Sequence, residues 1–137
     1  MHRYLLMMCL LTLPLLGDAN ASCADAKFED FLARFLTDSG YSTSRTQWPL
    51  TVTTEQFGEP SDRTTRTVAT FREFWGKYDS LAELLKASPG ILHAVEDASP
   101  DKAIVTFYLE DADTLFDAKF QRIRGCWLLV SLREFTH

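Results

Sequence analysis

Beyond residue 21 few side chains could do chemistry, and their types and spacing narrow the choices. His93, Asp97, Tyr78 and Tyr108 are the pocket candidates for general acid or base work, which needs two such groups within hydrogen-bond reach of each other. The plainer reading puts His93 on a strand rim and lets the tyrosines pack with wet hydroxyls. No His-x-x-x-His, Cys-x-x-Cys or carboxylate-flanked histidine occurs, so neither a metal site nor a cofactor is expected. Glu110-Asp111-Ala112-Asp113 is acidic but lacks the spacing and the glycine of a calcium loop, and reads as a solvated hairpin turn. There is no Gly-x-Ser-x-Gly elbow and no glycine-rich phosphate loop, so no catalytic residue is assigned. Arg45 beside Trp48 is the partner-binding candidate, because a rigid aromatic next to a planar cation gives contact area at little entropic cost. The competing role is internal, with Arg45 paired to a carboxylate across a sheet and Trp48 filling the interior.

These residues are carried by a chain whose start sets its compartment. Met1-His2-Arg3 is a short positive beginning, Tyr4 to Leu16 an apolar run, and Ala19-Asn20-Ala21 a small-residue cleavage site, the layout of a signal peptide over residues 1–21. That run is interrupted by Pro14 and is too short for a permanent membrane anchor. Residues 22–137 then form a single periplasmic or secreted domain. Cys9 departs with the leader, leaving Cys23 and Cys126, which in an oxidising compartment most simply form one disulfide. Closing so long a loop is worth about 4–5 kcal/mol on a chain-entropy argument. The alternative is lipid modification of Cys23, although Ala19-Asn20-Ala21-Ser22 lacks the large aliphatic residue that such a cysteine has three positions upstream. The net charge of −5 opposes nucleic-acid binding, and all ten Phe and three Trp lie after the leader, ample material for a core.

Phe28, Phe31, Leu32, Phe35 and Leu36 recur with helical spacing and predict a helix from Asp25 to Asp38, ended by Gly40. Leu50, Val52, Thr54 and Gln56 alternate as in a strand, with Pro49 at its start or on an edge, and Gly58 to Asp62 reads as a loop. Arg63 to Thr70 predicts a second strand. Phe71 to Leu85 has helical periodicity, broken or delayed at Gly76 and Asp79-Ser80, with capping boxes at Thr70 and Ser80. Strands at 91–98, 102–110, 114–124 and 126–135 follow as an antiparallel meander. Phe116, Ala118 and Phe120 alternate with Asp117, Lys119 and Gln121, giving one buried and one wet face, whereas 127–130 is apolar throughout and predicts a central strand.

Phe31-Leu32-x-x-Phe35, Ser44-Arg45-Thr46-Gln47-Trp48-Pro49-Leu50, Phe74-Trp75 through Tyr78-Asp79 and Phe120-Gln121-Arg122-Ile123-Arg124-Gly125-Cys126-Trp127-Leu128-Leu129 together resemble a family of secreted bacterial domains of unknown function. That family has the nuclear-transport-factor-2-like, cystatin-type cone. The resemblance implies an α+β fold with N-terminal helices packed on a curved antiparallel sheet, and it brings no catalytic residues. Two functions fit: a non-catalytic envelope domain that binds another protein, an immunity protein against a periplasmic toxin among them, or a cone-pocket protein that binds or transforms a small ligand. The aromatic count favours a filled cone and thus the first. N-terminal sequencing of the exported protein is expected to begin at Ser22.

Overall fold

The computed structural model describes Cys23, 27–56 and 58–136. The leader, the Asp25 start of the first helix and His137 lie outside the described residues. Four helices and six strands follow in the order α1 (Phe28–Phe35), α2 (Ser39–Ser44), β1 (Thr46–Gln56), β2 (Glu59–Val68), α3 (Phe71–Phe74), α4 (Leu81–Ala87), β3 (Ile91–Ala98), β4 (Lys102–Leu109), β5 (Thr114–Ile123) and β6 (Cys126–Thr136). All strands join one sheet in the order β2-β1-β6-β5-β4-β3.

The one-faced aromatic pattern of α1 does what its spacing implies, burying Phe28, Phe31, Leu32 and Phe35. The helix ends earlier than expected, and not at Gly40. Asp38 captures the Tyr41 amide at 3.0 Å and caps a second short helix, which takes Gly40 into its first turn. A side-chain cap competing for the backbone thus decides the break. Similarly, Phe71 to Leu85 divides at Gly76, and Ser80 caps α4 by accepting from the Glu83 amide at 3.2 Å. Thr70 makes no side-chain cap; Glu73 instead accepts from Ala69 N at 2.9 Å. An exposed Arg72–Asp79 pair spans the gap between α3 and α4, and its hydrogen bond holds the Asp79 carboxyl below the usual carboxylate range.

The sheet departs from an all-antiparallel one in a single place: β1 runs parallel to β6. Reaching the middle of the sheet after the meander, β6 meets β1 on the side that β2 leaves free, which makes β6 central as its apolar stretch implies. Two helices precede the sheet and two intervene between β2 and β3, so only part of the helical layer is N-terminal. β2 begins at Glu59, within the segment expected to be loop. Pro49, preceded by a cis peptide, falls inside β1, yet β2 pairs only from Leu50 and β6 skips from Thr46 to Thr51. The missing proline donor is therefore not demanded by either ladder.

Phe116, Ala118 and Phe120 are fully buried on the helix-facing side of β5. Phe120 receives Phe28, Phe31 and Phe35 at ring-centroid distances of 5.5, 5.6 and 5.2 Å. Phe116 is covered by Phe74, Trp75 and Phe107 at 5.8, 5.3 and 4.8 Å. Cys23 and Cys126 are joined with a Cα–Cα distance of 5.4 Å, which ties the segment before α1 to the start of β6 and leaves the Cys23 sulfur unavailable for a lipid. Because three rings rest on one, Phe120→Ala is expected to lower stability by about 3–5 kcal/mol in urea unfolding.

Candidate functional site

The sheet has a helix-covered inner face and an outer face, and strand alternation distributes the sequence candidates between them. On β4, Ala103, Val105 and Phe107 are buried inward, so Tyr108 points outward with Ile104 and Thr106. Asp97 pairs with Ile104 past the irregularity after Val95, and it too faces outward. His93 pairs with Phe107 on the inner side, its ring 6.0 Å from that phenyl, and Tyr78 packs against the core from the turn before α4. The four pocket candidates therefore do not share one pocket: alternation on β4 turns Tyr108 away from Phe107, and the irregularity after Val95 turns Asp97 away from His93, which strict alternation would keep on one face. His93 instead lines an open, mostly apolar groove of about 380 Å³ with Leu36, Leu85 and Ile91.

Arg45 and Trp48 are both half-buried and have internal partners. The Arg45 guanidinium lies 5.1 Å from the Tyr41 ring centre and donates to Cys23 Sγ at 3.2 Å. The Trp48 indole donates to the Thr43 carbonyl at 3.1 Å. These contacts supply internal work for both residues, with Arg45 held by the disulfide rather than by a carboxylate across the sheet.

A charged constellation that the sequence did not single out lies on the outer face. Arg133 on β6 stands opposite Thr53 of β1 and Asp117 of β5. Its Nη2 donates to Asp117 Oδ2 at 2.7 Å, and its Nη1 lies 3.8 Å from Glu55 Oε2. Thr106 Oγ1 donates to the other Asp117 oxygen at 2.8 Å. Glu55 is only 7% exposed and its Oε2 has no hydrogen-bond donor among the described residues, so the attraction of Arg133 helps to offset the burial of that charge. Beside this group is a cavity of about 240 Å³ whose lining includes Arg63, Lys119, Arg133, Asp117, Ser131 and Ile104. Asp117 and Lys119 were visible as wet-face residues of β5. Their meeting with Glu55 depended on the β1–β6 pairing, which no local pattern announces.

A second cluster, Arg66, Glu134 and Thr54, sits on the inner side of the β2–β1–β6 end. Its pair is internally matched, with Arg66 Nη1 3.1 Å from Glu134 Oε1 and Thr54 Oγ1 donating to that oxygen at 2.6 Å. Among the described residues no group of three His, Cys, Asp or Glu is placed to hold a metal ion.

A nuclear-transport-factor-2-like protein from Bacteroides fragilis aligns with a TM-score of 0.54 at 19% identity, over 78% of this chain and 46% of its own. The fold is nuclear-transport-factor-2-like. A cystatin-like protein from Bacteroides caccae aligns at TM-score 0.49 and 17% identity, covering 78% of this chain and 74% of its own. A nuclear-transport-factor-2-like protein of unknown function from Shewanella baltica gives 0.45 and 15%, over 80% and 90%. The chain spans about half the length of the Bacteroides fragilis protein. No family model and no curated protein matches the chain. At these identities the likeness is one of fold and transfers no residue roles.

Arg133→Met strands two carboxylates, Glu55 among the most buried polar groups, and is expected to cost about 2–3 kcal/mol, less than for a fully buried pair because Arg133 is half exposed. Asp117→Asn is expected to cost less, and adding Glu55→Gln to Arg133→Met to restore part of the loss, both read from urea unfolding midpoints.

Proposed function

We propose that this chain is an exported, non-catalytic domain that binds another protein, with the outer face of its sheet as the working surface. An immunity-type role, in which the domain occupies the active site of a toxin delivered to the periplasm, is the form of this function that the small size, acidity and leader of the chain suit best. The observation that carries the reading is the seating of Phe28, Phe31 and Phe35 on Phe120 and of Phe74, Trp75 and Phe107 on Phe116. A cone used for a metabolite keeps its interior open and aims a few polar groups into it. Here rings occupy the interior around Phe116 and Phe120, His93 is the one pocket candidate that lines the remaining inner groove, and the uncommitted charges of Arg63 and Lys119 stand on the opposite face. The disulfide supports the oxidising compartment that the leader implies.

Small-ligand binding or catalysis within the cone is the alternative, and the division of Tyr78 and His93 from Tyr108 and Asp97 between two faces counts against it. Cross-linking of the oxidised protein in periplasmic extract, compared with the Arg63→Glu/Lys119→Glu variant, tests the choice. Retention of one protein at equal stoichiometry by the unaltered chain, and its loss from the variant, is the expected result. Equal retention by both would move the interface off the outer face. A small molecule co-purifying in place of a protein, with Trp75 fluorescence responding to it, would overturn the reading in favour of the cone pocket.

A further inference from the structure

We propose that the cavity on the outer sheet face is a binding site for a single carboxylate carried on a short apolar body. The inference rests on the outer face being the working surface and adds the chemistry of what it holds. Arg63 on β2 and Lys119 on β5 reach it from opposite sides of the β1–β6 pair, since the strand order is β2-β1-β6-β5. Between them lie the hydroxyl-bearing Thr53 and Ser131, and Ile104 adds an apolar wall. The volume of about 240 Å³ is below that of ordinary cofactor pockets and suits a short organic acid or one acidic side chain.

The charges decide the ligand class. Arg133 is committed, held by Asp117 at 2.7 Å and drawn to the buried Glu55 at 3.8 Å. Asp117 is also committed, accepting from both Arg133 and Thr106. Arg63 uses its Nε on the Pro60 carbonyl at 2.9 Å, which leaves its two terminal nitrogens, and Lys119 has no ion-pair partner among the described residues. Three cations set against the two carboxylates leave a surplus of one positive charge, in a protein whose net charge is −5. One carboxylate matches that surplus. A phosphate dianion exceeds it and would face Glu55 and Asp117 at short range. Arg63 and Lys119 supply the charge-assisted donors and the Ser131 hydroxyl a neutral one, while Thr53 Oγ1 shares a hydrogen bond with Thr65 Oγ1 at 3.3 Å.

Hexanoate, its neutral analogue hexanamide, inorganic phosphate and the blocked tripeptide acetyl-Leu-Asp-Leu-amide, titrated into the oxidised, nitrogen-15-labelled protein and followed by amide shifts, test the site without any protein partner. Failure here is therefore separable from a failed capture experiment. Saturable shifts centred on Thr53, Lys119 and Ser131 with hexanoate, and none with hexanamide, are expected. Lys119→Met and Arg63→Gln are each expected to weaken hexanoate by about tenfold, with thermal midpoints unchanged and Lys119→Arg close to the original. If the tripeptide also saturates, the carboxylate comes from a partner's side chain; if only hexanoate does, it is a free acid, and both outcomes support the site. Absence of saturation by either acid, undiminished binding by Lys119→Met, or phosphate binding as tightly as hexanoate would overturn it.

Discussion

The seat of Phe120 is the contact on which the rest of this molecule depends. Its ring lies at the centre of the sheet, and three rings from successive turns of α1 reach it at 5.2 to 5.6 Å, with Trp127 of the neighbouring strand 4.8 Å from Phe28. A short helix of eight residues is marginal in isolation and gains its stability from such packing. The disulfide closes the same region from outside, joining the segment before α1 to Cys126, the residue ahead of Trp127. Helix, sheet centre and covalent link thus reinforce one locus.

Filling the inner face in this way has a consequence for chemistry. Around Phe116 and Phe120 the rings exclude the polar groups that a hollow cone would aim inward, since an unpaired polar atom among them would forfeit its hydration without return. They are found where water remains. The outer face carries Glu55, Asp117, Lys119 and Arg133, and the one charge that becomes deeply buried there, Glu55, does so beside an arginine. The site is built on strands that also pair through the centre of the sheet, so its geometry is fixed by the same ladders that hold the core.

The two free edges of the sheet are treated differently. β2 is exposed from Glu59 to Thr67 and carries Pro60, Asp62, Arg63 and Arg66, which discourage pairing with another chain. β3 lacks lysine and proline and exposes Leu92 and Val95, with an irregularity after Val95 that interrupts its ladder. Charge protects the first edge, and the bulge shortens the second.

Local chemistry determined much of this protein from sequence. The stripe of Phe28, Phe31 and Phe35, the cap at Ser80, the alternation of Phe116, Ala118 and Phe120 and the turns at 99–101 and 111–113 each rest on neighbours a few residues apart, and all are found in the structure. The Cys23–Cys126 link was legible for a different reason, because two cysteines beyond residue 21 leave one pairing. The second helix at Asp38 was missed because a single side-chain cap outweighed the stop signal of Gly40. The faces of Tyr108 and Asp97 needed strand register, and the outer site needed more. Glu55 and Arg133 are 78 positions apart, and only the parallel seating of β6 beside β1 puts them 3.8 Å from each other. That pairing is a choice among sheet edges made by the packed core as a whole, and no stretch of sequence encodes it alone.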